Sequence, residues 1–196
     1  MTNKTYDLKK DERYLQLLSQ SFPTIADAST EIINLQAILN LPKGTEHFLA
    51  DIHGEHEAFQ HVLKNASGNI KRKVNDLFGD TLRESEKREL CTLIYYPEQK
   101  IELVKQTETD IEDWYHIAIH RLVRICRDVS SKYTRSKVRK SLPVEFSYII
   151  QELLHESSAD KDKSDYVSAI ISTIISTGRA DDFITTICNV IQRLAI

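Results

Sequence analysis

Residues 110–130 read DIEDWYHIAIHRLVRICRDVS, and this stretch decides the fold class. Ile111, Trp114, Ile117, Ala118, Leu122, Ile125 and Val129 recur every three or four positions, the period of an α-helix with one apolar face. Asp110, Glu112 and Asp113 fall in its first turn, where negative charge offsets the helix dipole. Downstream, Pro143 opens a helix whose stripe is Phe146, Ile149, Ile150, Leu153 and Leu154, and the polar run 157–164 reads as a loop. Val167, Ile170, Ile171, Ile174 and Ile175 form the next stripe, ended by Gly178, and Phe183, Ile184, Ile187, Cys188, Ile191 and Leu194 form the last.

Upstream the pattern is the same. Thr81 and Glu84 have the spacing of a capping box ahead of Leu90, Leu93 and Ile94, and Pro97 interrupts that helix. Ile70, Val74, Leu77 and Phe78 make a stripe closed by Gly79, and a further helical stretch runs from about 55 to 66. Near the N-terminus, Leu8, Tyr14, Leu15, Leu17 and Leu18 mark one helix, and Ile25, Ala28, Ile32, Leu35, Ile38 and Leu39 a second, with Thr24 placed to cap it. Five glycines and four prolines are too few for a chain of many strands and turns. The exception is the short apolar segment from about 46 to 51, set between turn signals, which reads as a buried strand. The expected fold is therefore mainly α, a multi-helix domain with one short strand at 46–51.

Length and composition narrow the function classes. The chain has 196 residues, 41% of them hydrophobic and 28% charged, enough for one sizeable core. A formal charge of -3 gives no reason to expect nucleic acid or a membrane surface as partner. Cys91, Cys126 and Cys188 are odd in number and far apart, which argues for reduced thiols rather than a disulfide framework or a thiolate metal site. The N-terminal residues form no apolar signal segment, so the expected location is the cytoplasm.

The chemistry concentrates in Asp51-Ile52-His53-Gly54-Glu55. At the junction of a strand and a helix, an Asp-x-His pair presents a carboxylate and an imidazole to one hard or borderline metal ion, and Gly54 lets the backbone turn closely behind them. Read alone, the pair fits better as an aspartate capping the next helix beside a surface histidine, because two ligands do not close a metal site. His56, Glu57 and His61 do not form a zinc-protease pair, because a five-residue spacing turns the two imidazoles about 140° apart on a helix. The basic run Lys132, Arg135, Lys137, Arg139 and Lys140 offers an anion site or a solvated face. The pairs Tyr95-Tyr96 and Trp114-Tyr115 read as packing residues, and His116, His120 and His155 as structural ones.

The longer string TEHFLADIHGEHEAFQHVLKNASG, residues 45–68, resembles the first metal motif of the calcineurin-like metallophosphoesterases, and specifically of the class 3 fructose-1,6-bisphosphatases. The resemblance continues in order through ELCTLIYYPEQK (89–100), SSKYTRSKVRKSLP (130–143), IIQELLHE (149–156) and TGRADDFI (177–184). It implies that Asp51 and His53 ligate the first metal of a binuclear Mn2+ centre. The implied activity is hydrolysis of fructose 1,6-bisphosphate to fructose 6-phosphate and phosphate in gluconeogenesis. Lys132, Arg135 and Arg139 are the candidate substrate or effector anion residues.

The superfamily also needs a Gly-Asp-x-x-Asp-Arg motif and a Gly-Asn-His-Asp/Glu motif, and neither occurs here. Gly79-Asp80 is followed by Thr81, Leu82, Arg83 and Glu84, and Gly68-Asn69 by Ile70. The chain ends at Ile196 while still apolar and periodic. It reads as an incomplete piece of an α/β metallophosphoesterase fold, with residues 1–68 carrying the N-terminal helices, first core strand and metal motif, and 69–196 a helical insertion. As such it is expected to lack activity alone. The alternative is a helical protein-interaction module with a vestigial metal motif, and either reading leaves a homo-oligomer open.

Overall fold

The computed structural model describes residues 8–40, 48, 50–65, 68–155 and 161–195. The chain divides into two compact units, Met1–Pro42 and Lys43–Ile196.

The first unit holds α1 (Leu8–Ser21) and α2 (Ile25–Leu39). Thr24 caps α2 as its sequence position implies: its Oγ1 accepts from the Asp27 N–H at 3.1 Å, and the Asp27 carboxylate accepts from the Thr24 N–H at 3.2 Å. Apolar residues occupy more than one face of α2, yet none of its residues is buried. Ile25 is 87% exposed and Leu39 78%.

The second unit consists of α3 (His56–Asn65), α4 (Asn69–Phe78), a 3-10 turn (Gly79–Thr81), α5 (Glu84–Tyr95), α6 (Pro97–Thr107), α7 (Ile111–Ser130), α8 (Arg135–Ser141), α9 (Ser147–His155), α10 (Lys161–Ser176) and α11 (Ala180–Ala195). The chain is mainly helical, as its periodicity implies. Its centre is α11 against α7, with α5, α6 and α8 also packed on α11, and α4, α9 and α10 on α7. From α7 come Ile119, Leu122, Ile125, Cys126 and Val129, and from α11 Phe183, Ile184, Ile187, Cys188, Ile191 and Leu194, all nearly or wholly removed from water. Burying one such aliphatic or aromatic side chain stabilises by about 1.5–3 kcal/mol, so this layer carries much of the unit. Phe183 meets Phe146 edge to face with ring centroids 5.3 Å apart. Burial drives the Cys126 thiol up to about 12 and Cys188 well above its ordinary value, so both act as small apolar side chains.

Caps set the helix ends. The Asp110 carboxylate accepts from the Asp113 N–H at 3.0 Å and starts α7. Gly178, with φ +71, closes α10: its N–H reaches the Ile175 carbonyl at 2.9 Å, and the Arg179 N–H reaches that of Ile174 at 3.0 Å. This is a Schellman ending, and it needs a left-handed residue there.

The sequence expectations are corrected in four places. Of the strand expected at 46–51, residues 46, 47 and 49 lie outside the described residues. Phe48, Ala50 and Asp51 take no strand structure, and there is no strand among the described residues for them to pair with; a lone segment leaves its backbone groups to water. Phe48 is 91% exposed rather than buried. The start of α5 moves from Thr81 to Arg83, because Thr81 Oγ1 donates to the Phe78 carbonyl (2.5 Å) and the Glu86 carboxylate accepts the Arg83 N–H (3.0 Å). Within the polar run expected as a loop, α10 already begins at Lys161. Finally, Ile117 is 42% exposed while Ile119 and Val123 are buried, so the inner face of α7 lies to one side of the expected stripe.

Two outcomes follow for stability. Phe183→Ala should cost about 3–5 kcal/mol in urea unfolding, since it empties the layer between α7 and α11. The Glu86 carboxyl is held below its ordinary value of 4.5 by the Arg83 N–H and then by Arg121, whose Nη2 lies 2.9 Å away. A depressed folded value stabilises above the unfolded one and is lost as pH falls through it. Glu86→Gln should therefore lower the melting temperature at neutral pH, and the difference from the unsubstituted chain should close as pH falls below about 4.5.

Candidate functional site

The Asp51–Gly54 turn leads directly into α3. Asp51 has φ +29, His53 φ +51 and Gly54 φ +76. Positive φ is uncommon outside glycine, and Asp and His tolerate it better than most residues do. The Glu55 N–H closes the turn on the Ile52 carbonyl at 3.0 Å, and the Phe59 N–H bonds the Glu55 carbonyl at 2.9 Å, which commits the chain to helix. The bend brings the two expected ligands together: His53 Nε2 lies 3.0 Å from Asp51 Oδ2, with side chains 77% and 79% exposed.

So exposed a pair contributes little to folding as an ion pair. Its 3.0 Å separation is that of an ordinary N–H···O hydrogen bond and is also compatible with two ligands of one metal ion. Two ligands on adjacent corners of an octahedron, each about 2.1 Å from the ion, stand about 3.0 Å apart. A carboxylate oxygen with an imidazole nitrogen is also a donor set that Mn2+ accepts. The turn lines an open depression of about 290 Å³ with Ala50, Glu55, Ala58, Phe59 and Val62. Among the described residues no three His, Cys, Asp or Glu side chains converge on one point, so the pair by itself closes no metal site.

The other sequence candidates lie elsewhere. His61 faces α5, its Nδ1 2.5 Å from Tyr96 Oη with the two rings stacked, and Lys64 donates to the Tyr95 carbonyl at 3.2 Å. Tyr95 itself is buried, and desolvation drives its phenol up to about 12. In the basic run, Lys132 and Lys137 stand over the Tyr133 ring at 4.9 and 4.1 Å. Arg135 and Arg139 sit one turn apart on α8, both exposed. Partial burial and the neighbouring His116 lower the pKa of His120.

One cluster escaped the sequence reading. Where α3, α4 and α5 meet, a cavity of about 410 Å³ is lined by His61, Lys71, Glu84, Lys87, Arg88 and Tyr96, among others. These residues come from three helices, and only Glu84, Lys87 and Arg88, on one face of α5, share a helical spacing.

Comparison with known proteins places the chain. Residues 13–196 match the family model of the Firmicute fructose-1,6-bisphosphatases. The protein named fructose-1,6-bisphosphatase class 3 from Phocaeicola vulgatus is 76% identical over 189 residues, covering 96% of this chain and 28% of that protein. Its namesake from Bacteroides thetaiotaomicron is 76% identical over 186 residues, 95% of this chain and 28% of the relative. The one from Porphyromonas gingivalis is 65% identical over 189 residues, 96% of this chain and 29% of the relative. No solved structure matches. The chain belongs to the fructose-1,6-bisphosphatase family that these models and proteins define. It corresponds to an N-terminal portion of the class 3 enzymes, spanning about 28% of their length.

If the Asp51–His53 edge holds metal, Mn2+ added to the isotopically labelled chain should broaden the amide signals of residues 51–55 first, and His53→Ala should weaken that effect about tenfold or more. Broadening spread evenly over the surface carboxylates would remove the pair from consideration as ligands.

Proposed function

We propose that this chain is part of a manganese-dependent fructose-1,6-bisphosphatase that hydrolyses fructose 1,6-bisphosphate to fructose 6-phosphate and phosphate in gluconeogenesis, and that the chain alone does not turn substrate over. The observation that carries the reading is the 3.0 Å approach of His53 Nε2 to Asp51 Oδ2 at the start of α3, in a chain 76% identical to proteins of that name. Bound manganese would supply charge neutralisation for the phosphate and a water of lowered pKa.

The chain's own residues perform the holding. Asp51 offers a carboxylate oxygen and His53 its Nε2, and Gly54 lets the backbone leave the turn without a side chain over the donors. Residues 1–68 are then the piece that carries the motif, and 69–196 a helical insertion that buttresses α3. The inactivity rests on arithmetic of donors: a binuclear phosphatase centre needs several more ligands than this edge provides, and the sequence has neither Gly-Asp-x-x-Asp-Arg nor Gly-Asn-His. Lys132, Arg135 and Arg139 are retained as anion residues for substrate or effector.

The test is phosphate release from fructose 1,6-bisphosphate with Mn2+, run on the folded chain and on a full-length class 3 enzyme carrying this portion. The chain should show no turnover. In the full-length enzyme, Asp51→Asn or His53→Ala should lower kcat/KM by a factor of about 100 or more. Manganese-dependent turnover by the chain alone, lost in His53→Ala, would overturn the account of missing donors.

A further inference from the structure

We propose that the cavity between α3, α4 and α5 binds the phosphoryl group of a small organic phosphate. The argument starts from charge. The whole chain is net negative, at -3, and a second cavity, of about 440 Å³, is lined by Glu98, Glu102, Glu145, Asp181 and Asp182 against Arg179. The cavity between α3, α4 and α5 has the opposite sign: Lys71 from α4 with Lys87 and Arg88 from α5, against the single carboxylate of Glu84. Lys87 is only 11% exposed, and its ammonium lies 2.7 Å from Glu84, so these two neutralise each other. That hydrogen bond, the charge of Lys87, and then Arg88 and Lys71 keep the Glu84 carboxyl below its ordinary value.

Lys71 and Arg88 remain, two unit charges on the rim of one cavity. A phosphate monoester carries about -1.5 to -2 at neutral pH, so the charges match. Arginine offers it a fork of two N–H donors and lysine a point charge. Gly68 at the N-cap of α4 also lines the cavity, which places the positive end of that helix dipole there.

The remaining walls suit the organic part. His61 and Tyr96, locked by their 2.5 Å contact, and the half-buried Cys91 supply aromatic and apolar surface. Burial raises the Cys91 thiol, so it lines the cavity as a neutral group and offers no nucleophile. A volume of about 410 Å³ lies within the range of small-molecule pockets and exceeds what a phosphate ion fills. The Asp51–His53 turn precedes α3, and the depression it lines shares no residue with this cavity, so the two are separate sites.

The experiment is an NMR titration of the labelled chain with inorganic phosphate, with glycerol 3-phosphate and with glycerol. Saturable shifts at the amides of Gly68, Lys71, Arg88 and His61 are expected from both phosphates and not from glycerol, with the tighter binding for glycerol 3-phosphate. Lys71→Gln/Arg88→Gln, which changes two exposed side chains, should retain the spectrum and raise the dissociation constant at least tenfold. Non-saturating shifts, shifts confined to α8, or unchanged affinity in the double variant would overturn the site. Equal affinity for the two phosphates would overturn its assignment to an organic phosphate. Because no metal is present in the titration, failure here leaves the manganese reading untouched.

Discussion

Everything in the second unit depends on the burial of α11 against α7. Helix α11 is amphipathic and turns an almost continuous aliphatic face inward, and α7, its longest neighbour, packs on it most extensively. Once these two meet, the polar ties fall into place around them. Tyr115 Oη donates to Asp181 at 2.6 Å, Gln192 caps the Ile94 carbonyl, and Arg193 donates to the Ser141 carbonyl at 3.0 Å. Each tie joins α11 to a different helix. None sets the packing, because a net hydrogen bond stabilises by about 1 kcal/mol, less than one buried isoleucine.

That core fixes α4, α5 and α6, and through them it reaches the candidate sites. Helix α3 contributes no buried residue of its own. It is held by Lys64 and His61 on the Tyr95–Tyr96 corner of α5, so the turn that carries Asp51 and His53 is cantilevered from a corner of the core. A loop so placed keeps its local geometry by hydrogen bonds within the turn and leaves both side chains open to solvent. The same corner forms one wall of the cationic cavity.

The first unit behaves differently. Two helices of 14 and 15 residues can each shield one face of the other, and α2 has more apolar surface than one face. Ile25, Ile32, Ile33, Leu35, Ile38 and Leu39 remain 49–87% exposed as a result. Apolar area on that scale is uncommon on a free surface.

What the sequence determined by itself was local: helices where apolar residues recur at helical spacing, the Thr24 cap, the acidic start of α7 and the Gly178 ending. These depend on neighbours within a turn or two, and such neighbours are readable in order. Tertiary structure decided the rest. Ile119 and Val123 of α7 face inward because α11 covers that side, and residues 48, 50 and 51 are not a strand because strand pairing is non-local and no partner lies among the described residues. The 3.0 Å approach of His53 to Asp51 depends on backbone angles that no residue pattern specifies. The cavity of Lys71, Arg88 and His61 exists only because three helices converge, and convergence leaves no period in a sequence.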